Sequence, residues 1–162
     1  MTLDVRLLAD KAELAQAART FRTAMVGLPP LGSIDDALLE DLFQPERTFG
    51  AFVDGAIVGT TDSYSGHIVV PGNARLPHAA VTHVGVLPTH TRRGIATALF
   101  GQQLRTAREQ GEAVATLRAS DARIYEHFGY GIASTSVSFE IDTQRARLRN
   151  DVRRTDTVRL VD

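Results

Sequence analysis

Apolar positions along this chain change their period several times, and each change marks an element. Thr2 to Ala9 alternates, which places Leu3, Val5 and Leu7 on one face of a short strand. From Asp10 the spacing becomes helical, with Leu14, Ala17, Ala18, Phe21 and Met25 on one stripe. Asp10 is placed to cap this helix and Glu13 to reach back to its start. Leu28-Pro-Pro-Leu-Gly32 interrupts the pattern, and Ser33 opens a second, acidic helix through Leu38, Leu39 and Phe43 that stops before Pro45. Two short apolar runs, Phe49–Val53 and Ala56–Thr60, flank Asp54-Gly55, a dipeptide that tolerates the positive φ of a tight hairpin turn. The second run continues through Tyr64 to Val70, Pro71-Gly72-Asn73 turns the chain, and Ala79–Val86 forms the next strand.

Gly94 to Gln110 has helical spacing and Gly111 ends it; Ala113–Ala119 is a mostly apolar strand. A strand, a helix and a second buried strand make a βαβ unit, whose strands are parallel neighbours joined by a right-handed crossover. Ser120 or Asp121 caps a short helix to Phe128, Gly129-Tyr130-Gly131 follows, and Ala133–Ile141 alternates as a strand. Past Asp142 the pattern fades into an arginine-rich segment, and Val158–Val161 begins a further strand. The expected class is α/β (α+β in some schemes): one mixed, twisted sheet of about six to seven strands with flanking helices. Its domain covers residues 1–142, and 143–162 form an exit segment or linker toward a second domain that this chain does not include.

At 162 residues with 43% hydrophobic content, the chain is long enough for one domain with a substantial core. A net charge of -1 and a pI near 6.5 give no electrostatic reason to expect nucleic-acid binding, so any anion site is local. The lack of cysteine excludes disulfides, thiolate metal sites and a cysteine nucleophile, and is compatible with the cytoplasm. The N-terminus lacks a basic-then-apolar signal pattern and no apolar run suits a membrane span, so no membrane partner is expected.

The stretch with most chemical content is Val81–Phe100, which passes from a β-branched strand through a basic, glycine-containing turn into a helix. The first amides of a helix lack intrahelical partners and the helix dipole adds about half a positive charge there. Arg92 and Arg93 add side-chain donors, while Gly94 and Ala96 leave the amides of Gly94, Ile95, Ala96 and Thr97 accessible to phosphate oxygens. The stretch has neither the Gly-Lys-Ser/Thr of a nucleoside-triphosphate loop nor Gly-Xaa-Gly-Xaa-Xaa-Gly. On spacing alone it is equally an ordinary arginine-rich helix start.

Thr91-Arg-Arg-Gly-Ile-Ala96 resembles the Gln/Arg-Xaa-Xaa-Gly-Xaa-Gly/Ala motif of the GNAT acetyltransferases, with Thr91 where Gln or Arg is usual. Val84-Gly-Val-Leu-Pro-Thr-His-Thr-Arg-Arg-Gly94 and Ala119-Ser-Asp-Ala-Arg-Ile-Tyr-Glu-His-Phe-Gly-Tyr-Gly131 together resemble the N-terminal domain of the Eis (enhanced intracellular survival) family. The resemblance implies a GNAT fold and acetyl-CoA as cosubstrate. By it, the backbone of Val84, Gly85 and Val86 binds the pantetheine arm, Arg92 to Thr97 hold the pyrophosphate, and Ser120 and Asp121 lie near the cofactor. It places the catalytic tyrosine at Tyr125, a general acid for the departing thiolate, with Tyr130 as a lesser rival. It further implies direct transfer to a primary amine, of an aminoglycoside or a lysine side chain, and assembly as a homo-oligomer, a hexamer where the further domains are present. In the family the base is a carboxylate at the end of a later domain. This chain is therefore expected to be a fragment, a non-catalytic coenzyme A-binding domain of a larger protein, or an enzyme with a local base. His83 is a candidate for that base, and more readily a satisfied core or cleft-wall histidine.

Three other features carry less. The five histidines, His67, His78, His83, His90 and His127, have no paired metal-ligand spacing, so no metal is expected. Asp35, Asp36, Glu40, Asp41 and Glu46 suit either a cationic substrate or a solvated helix face. Arginines 145, 147, 149, 153 and 154 lie among acids without aromatic partners, which fits a protein contact better than RNA.

Overall fold

A computed structural model describes residues 2–25, 28, 39, 41–147 and 149–151. Two compact units divide at Gly131/Ile132. The first contains a five-stranded sheet in the order β1-β2-β3-β4-β5, made of β1 (Leu3–Leu7), β2 (Phe49–Val53), β3 (Ala56–Val70), β4 (Ala74–Val86) and β5 (Val114–Leu117). Neighbours are antiparallel up to β4, and β4 pairs with β5 in parallel. The helices are α1 (Lys11–Ala24), α2 (Ile95–Glu109) and the single turn α3 (Arg123–Glu126).

The hairpin at Asp54-Gly55 forms as expected, with φ of 50° and 82°, the double positive φ that matches the natural strand twist. β4 begins at Ala74 rather than Ala79, because the turn after Val70 closes with the Asn73 N–H bonded to the Val70 carbonyl and β3 and β4 then pair immediately. Leu7, expected on the buried face of β1, is exposed; β1 ends there, and Leu8 turns into the core in its place.

Both faces of the sheet are covered, which explains why Phe49-Gly-Ala-Phe-Val53 reads as continuously apolar: every residue of β2 is buried. Phe52 and Ile57 face α1 and pack with Leu8, Leu14, Ala17, Ala18, Leu39 and Phe43. Phe49, Ala51, Val53 and Val58 face α2 and pack with Ile95 and Leu99. The predicted second helix lies mostly outside the described residues; Leu39, Asp41 and Leu42 are helical.

Helix α1 is capped as its sequence suggests. Asp10 accepts from the Glu13 N–H at 2.9 Å, and Glu13 accepts from the Ala9 N–H at 2.7 Å and pairs with Arg6 at 2.5 Å. Arg6 first, then the Ala9 amide, lower the Glu13 carboxyl to about 2. A buried polar cluster ties the entry of β2 to the α2–β5 turn. The Arg47 guanidinium bonds Ser63, Ser65 and Gln110 and pairs with Glu112 at 2.6 Å.

In the second unit, the residues expected to form strand Ala133–Ile141 form no strand. The alternation is present, with Val137, Phe139 and Ile141 exposed, yet no ladder partner is present among the described residues. The sheet therefore has five strands rather than six to seven. Val158–Val161 lies outside the described residues.

Two stability outcomes follow from the polar pairs. Arg47→Ala leaves the Glu112 carboxylate buried without its counter-charge and is expected to cost about 3–5 kcal/mol in urea unfolding. Glu13 binds its proton less readily folded than unfolded, so its stabilisation is complete above the usual carboxylate range and falls away as pH drops toward about 2. Glu13→Gln should flatten the acid side of a stability–pH curve between about 4.5 and about 2; an unchanged curve would show that the pair contributes nothing.

Candidate functional site

The site begins where β4 loses a partner. Its parallel ladder with β5 ends at Val81↔Leu117, while β4 itself runs on to Val86. Among the described residues no strand pairs with that edge of β4 beyond Val81. On the other edge Thr82 pairs with Asp62 and Gly85 with Thr60, so His83 and Val84 together oppose the single residue Thr61. This is a β-bulge, and His83 takes a φ of 47°, a left-handed conformation that costs about 1–3 kcal/mol in a non-glycine residue. Bulges bend and twist a strand, and the carboxyl ends of a parallel pair are where ligands of such sheets bind.

Beside the open edge, a 3-10 turn at Pro88–His90 leads to an exposed loop, Thr91 to Gly94, in which Arg92 and Gly94 have φ of 60° and 77°. Left-handed residues within a turn aim successive N–H groups into one concavity, an anion-binding arrangement. Gly94 is the N-cap of α2 and makes no side-chain cap bond; the first helical bond is Ala98 N–H to Gly94 carbonyl. The amides of Ile95, Ala96 and Thr97 therefore have no intrahelical acceptor at the positive end of the dipole. The Ile95 side chain is core, 1% exposed, so its amide is what it offers a ligand. Gly59 allows this close seating, since a Cβ there would lie 3.0 Å from Ile95 and 3.1 Å from Leu99.

The third wall follows β5. Ser120 is exposed; Asp121 accepts from the Arg123 backbone N–H and pairs with its guanidinium at 2.9 Å, so this carboxylate holds the start of α3. Arg123, through its side-chain bond, lowers the Asp121 carboxyl. Tyr125, half-buried, packs edge-on to Phe100 at 5.7 Å, and Phe128 stacks on the same ring at 4.4 Å. Phe100, 1% exposed on α2, is thus the anchor for Tyr125. Burial raises the Tyr125 phenol, and raises Tyr130, next to it, to about 12. Both keep their protons at neutral pH. The Tyr130 hydroxyl is buried without a partner among the described residues.

Val84–Val86 at the end of β4 lead through the Pro88–His90 turn to Arg92–Thr97 at the start of α2, and α3 follows β5 at the same end of the parallel pair. Two features escaped the sequence reading. One is the bulge, signalled only by a glycine inside a strand at Gly85. The other is the buried Asp62, which stands in the polar run Thr60-Thr61-Asp62-Ser63 within β3.

A parallel pair that splits beside an uncapped helix is the architecture of the GNAT acyltransferases. Residues 4–133 match the acetyltransferase (GNAT) domain model, and the chain belongs to that family. Over 111 residues it is 42% identical to an uncharacterized N-acetyltransferase of Streptomyces avermitilis, covering 68% of this chain and 27% of that protein. It is 37% identical over 102 residues to the N-acetyltransferase Eis of Mycobacterium tuberculosis, covering 63% of this chain and 25% of Eis. The crystal structure of Eis1 from Mycobacterium abscessus superposes with a TM-score of 0.74 at 52% identity, covering 82% of this chain and 32% of that one. The chain spans about a quarter to a third of the length of these relatives.

Coenzyme A should raise the melting temperature in proportion to the logarithm of its concentration above Kd. Gly94→Val, which imposes about 1–2 kcal/mol of left-handed strain on the loop, should remove most of that shift while far-ultraviolet circular dichroism of the free chain stays the same. An equal shift in the variant would detach the loop from the ligand.

Proposed function

We propose that this chain transfers an acetyl group from acetyl-CoA to a primary amine by direct attack, with Tyr125 as general acid. The observation that carries the reading is the unpaired edge of β4 beyond Val81 lying next to the uncapped start of α2. A pantetheine arm is a chain of amides. It can complete the ladder along Val84, Gly85 and Val86, as an added strand does, while the pyrophosphate takes the amides and arginines of Arg92, Arg93, Gly94, Ile95, Ala96 and Thr97. Ser120 sits beside the arm at the end of β5, and Asp121 supports α3. The thioester carbonyl then lies in the cleft, where the amine lone pair attacks it. As the C–S bond breaks, the electron pair leaves on sulfur and takes the Tyr125 proton.

Aminoglycoside amines or lysine side chains are the acceptors we propose, in keeping with the likeness to Eis. Homo-oligomeric assembly, as a hexamer, and a cytoplasmic location complete the reading. A second reading has a specific observation behind it: because the chain spans only part of its relatives' length, it fits a non-catalytic coenzyme A-binding domain that needs further chain for turnover.

Thiol release with acetyl-CoA and a panel of aminoglycosides and lysine peptides separates the two, since release supports the enzyme and binding without release supports the domain. Tyr125→Phe is expected to lower kcat by about 10²-fold or more while the coenzyme A thermal shift stays the same. Undiminished kcat would remove Tyr125 from the chemistry.

A further inference from the structure

We propose that His83 is the general base for the acceptor amine and that Asp62 positions its ring, an inference resting on the transferase reading above. The bulge presents His83 one residue before the open edge Val84–Val86, with its side chain on the face of the sheet covered by α1. Two rings hold the imidazole: Phe21 of α1 edge-on at 5.1 Å, and Phe43 tilted against it at 4.5 Å. Its side chain remains 17% exposed, so the ring is confined without being sealed.

The Nδ1 atom lies 3.4 Å from Oδ2 of Asp62, whose side chain is fully buried. The other carboxylate oxygen, Oδ1, accepts from the Ser63 N–H at 2.7 Å. It also lies 3.1 Å from the Thr48 hydroxyl, whose single proton is shared with the Gln44 carbonyl. Oδ2 is thus left to the imidazole. A carboxylate facing Nδ1 fixes the tautomer that carries its proton there and leaves Nε2 as the acceptor. Among the described residues, the elements packed against the ring bring Phe21 and Phe43, which are neutral. Of the neighbouring polar groups on and near β3, the Tyr64 phenol donates to the Leu42 carbonyl and Arg47 is paired with Glu112. Among the described residues, Asp62 is therefore the charge that faces His83.

The step balances as follows. The acceptor enters as an ammonium and gives one proton to Nε2; Asp62 stabilises the imidazolium, which releases that proton to solvent. The freed lone pair forms the C–N bond as the C–S bond breaks. The thiolate takes the Tyr125 proton, and the second proton lost from nitrogen restores the phenol. Other histidines lack this arrangement: His78 is bonded to Thr116 at 2.6 Å and His90 to Thr89 at 2.9 Å.

The test uses the full chain with acetyl-CoA and the amine that it acetylates best. His83→Asn keeps a residue that tolerates left-handed φ and removes the base; kcat should fall about 10²-fold or more with the KM for acetyl-CoA unchanged. His83→Ala should regain turnover on addition of imidazole. Asp62→Asn should lower kcat with the KM for acetyl-CoA unchanged, and the nitrogen-15 shifts of its His83 ring should lose the preference for a protonated Nδ1. Nitrogen-15 shifts of the wild-type imidazole should report a protonated Nδ1, a readout that needs neither turnover nor a folded variant. Wild-type release with undiminished turnover in His83→Asn, or a ring protonated at Nε2 alone, would overturn the base while leaving the transferase reading intact. No release from the wild type with any amine would overturn both.

Discussion

Strand β4 does not keep register with both neighbours along its whole length. Against β3 it accommodates an extra residue at His83–Val84, and its parallel ladder to β5 ends at Val81, where β5 itself stops at Leu117. One residue too many in one strand aims His83 onto the α1 face just before the stretch of β4 that has no ladder partner on its β5 side among the described residues. A sheet with perfect pairing would be more stable and would offer no such edge.

The two long helices handle their free amides in opposite ways. Helix α1 carries a side-chain cap, with Asp10 accepting from the Glu13 N–H and Glu13 reaching back to the Ala9 N–H. Helix α2 closes its far end fully, through Gly111 N–H to Arg108 and Glu112 N–H to Ala107, yet begins at a glycine with no side-chain cap. The same economy appears among buried polar groups. Arg47 is fully partnered and ties elements together, whereas Asp62 has one oxygen directed at a single histidine. A missing cap at one place and a side-chain cap at another separate an open helix start from a structural joint.

Much of this was legible because the relevant signals are local. Asp54-Gly55, the Asp10–Glu13 cap and the Gly94 and Gly111 punctuation around α2 each act within a few residues, and each appears where its chemistry puts it. The strand–helix–strand order also implied the parallel pair and hence the end of the sheet at which a ligand binds. What could not be read was set by partners far along the chain. The early start of β4 depends on its pairing with the whole of β3. The bulge depends on a mismatch between strands. Asp62 is one polar residue among four along the chain, and only folding brings Thr48 and His83 to its carboxylate. The alternation at Val137, Phe139 and Ile141 shows the limit in the other direction, since a period of two predicts a face but supplies no neighbouring strand.

Gly59 and Gly85 are diagonal neighbours on β3 and β4, and their missing side chains point to opposite faces of the sheet. A Cβ at Gly85 would come within 2.9 Å of Ala24 on α1, and one at Gly59 within 3.0 Å of Ile95 on α2. At that spot the protein is one backbone thick, and the α1 wall bearing Phe21 rests almost directly behind the α2 wall bearing Ile95. The two walls therefore cannot be altered independently there, since a side chain added at either glycine presses on the helix seated against it and, through the shared backbone, on the one behind.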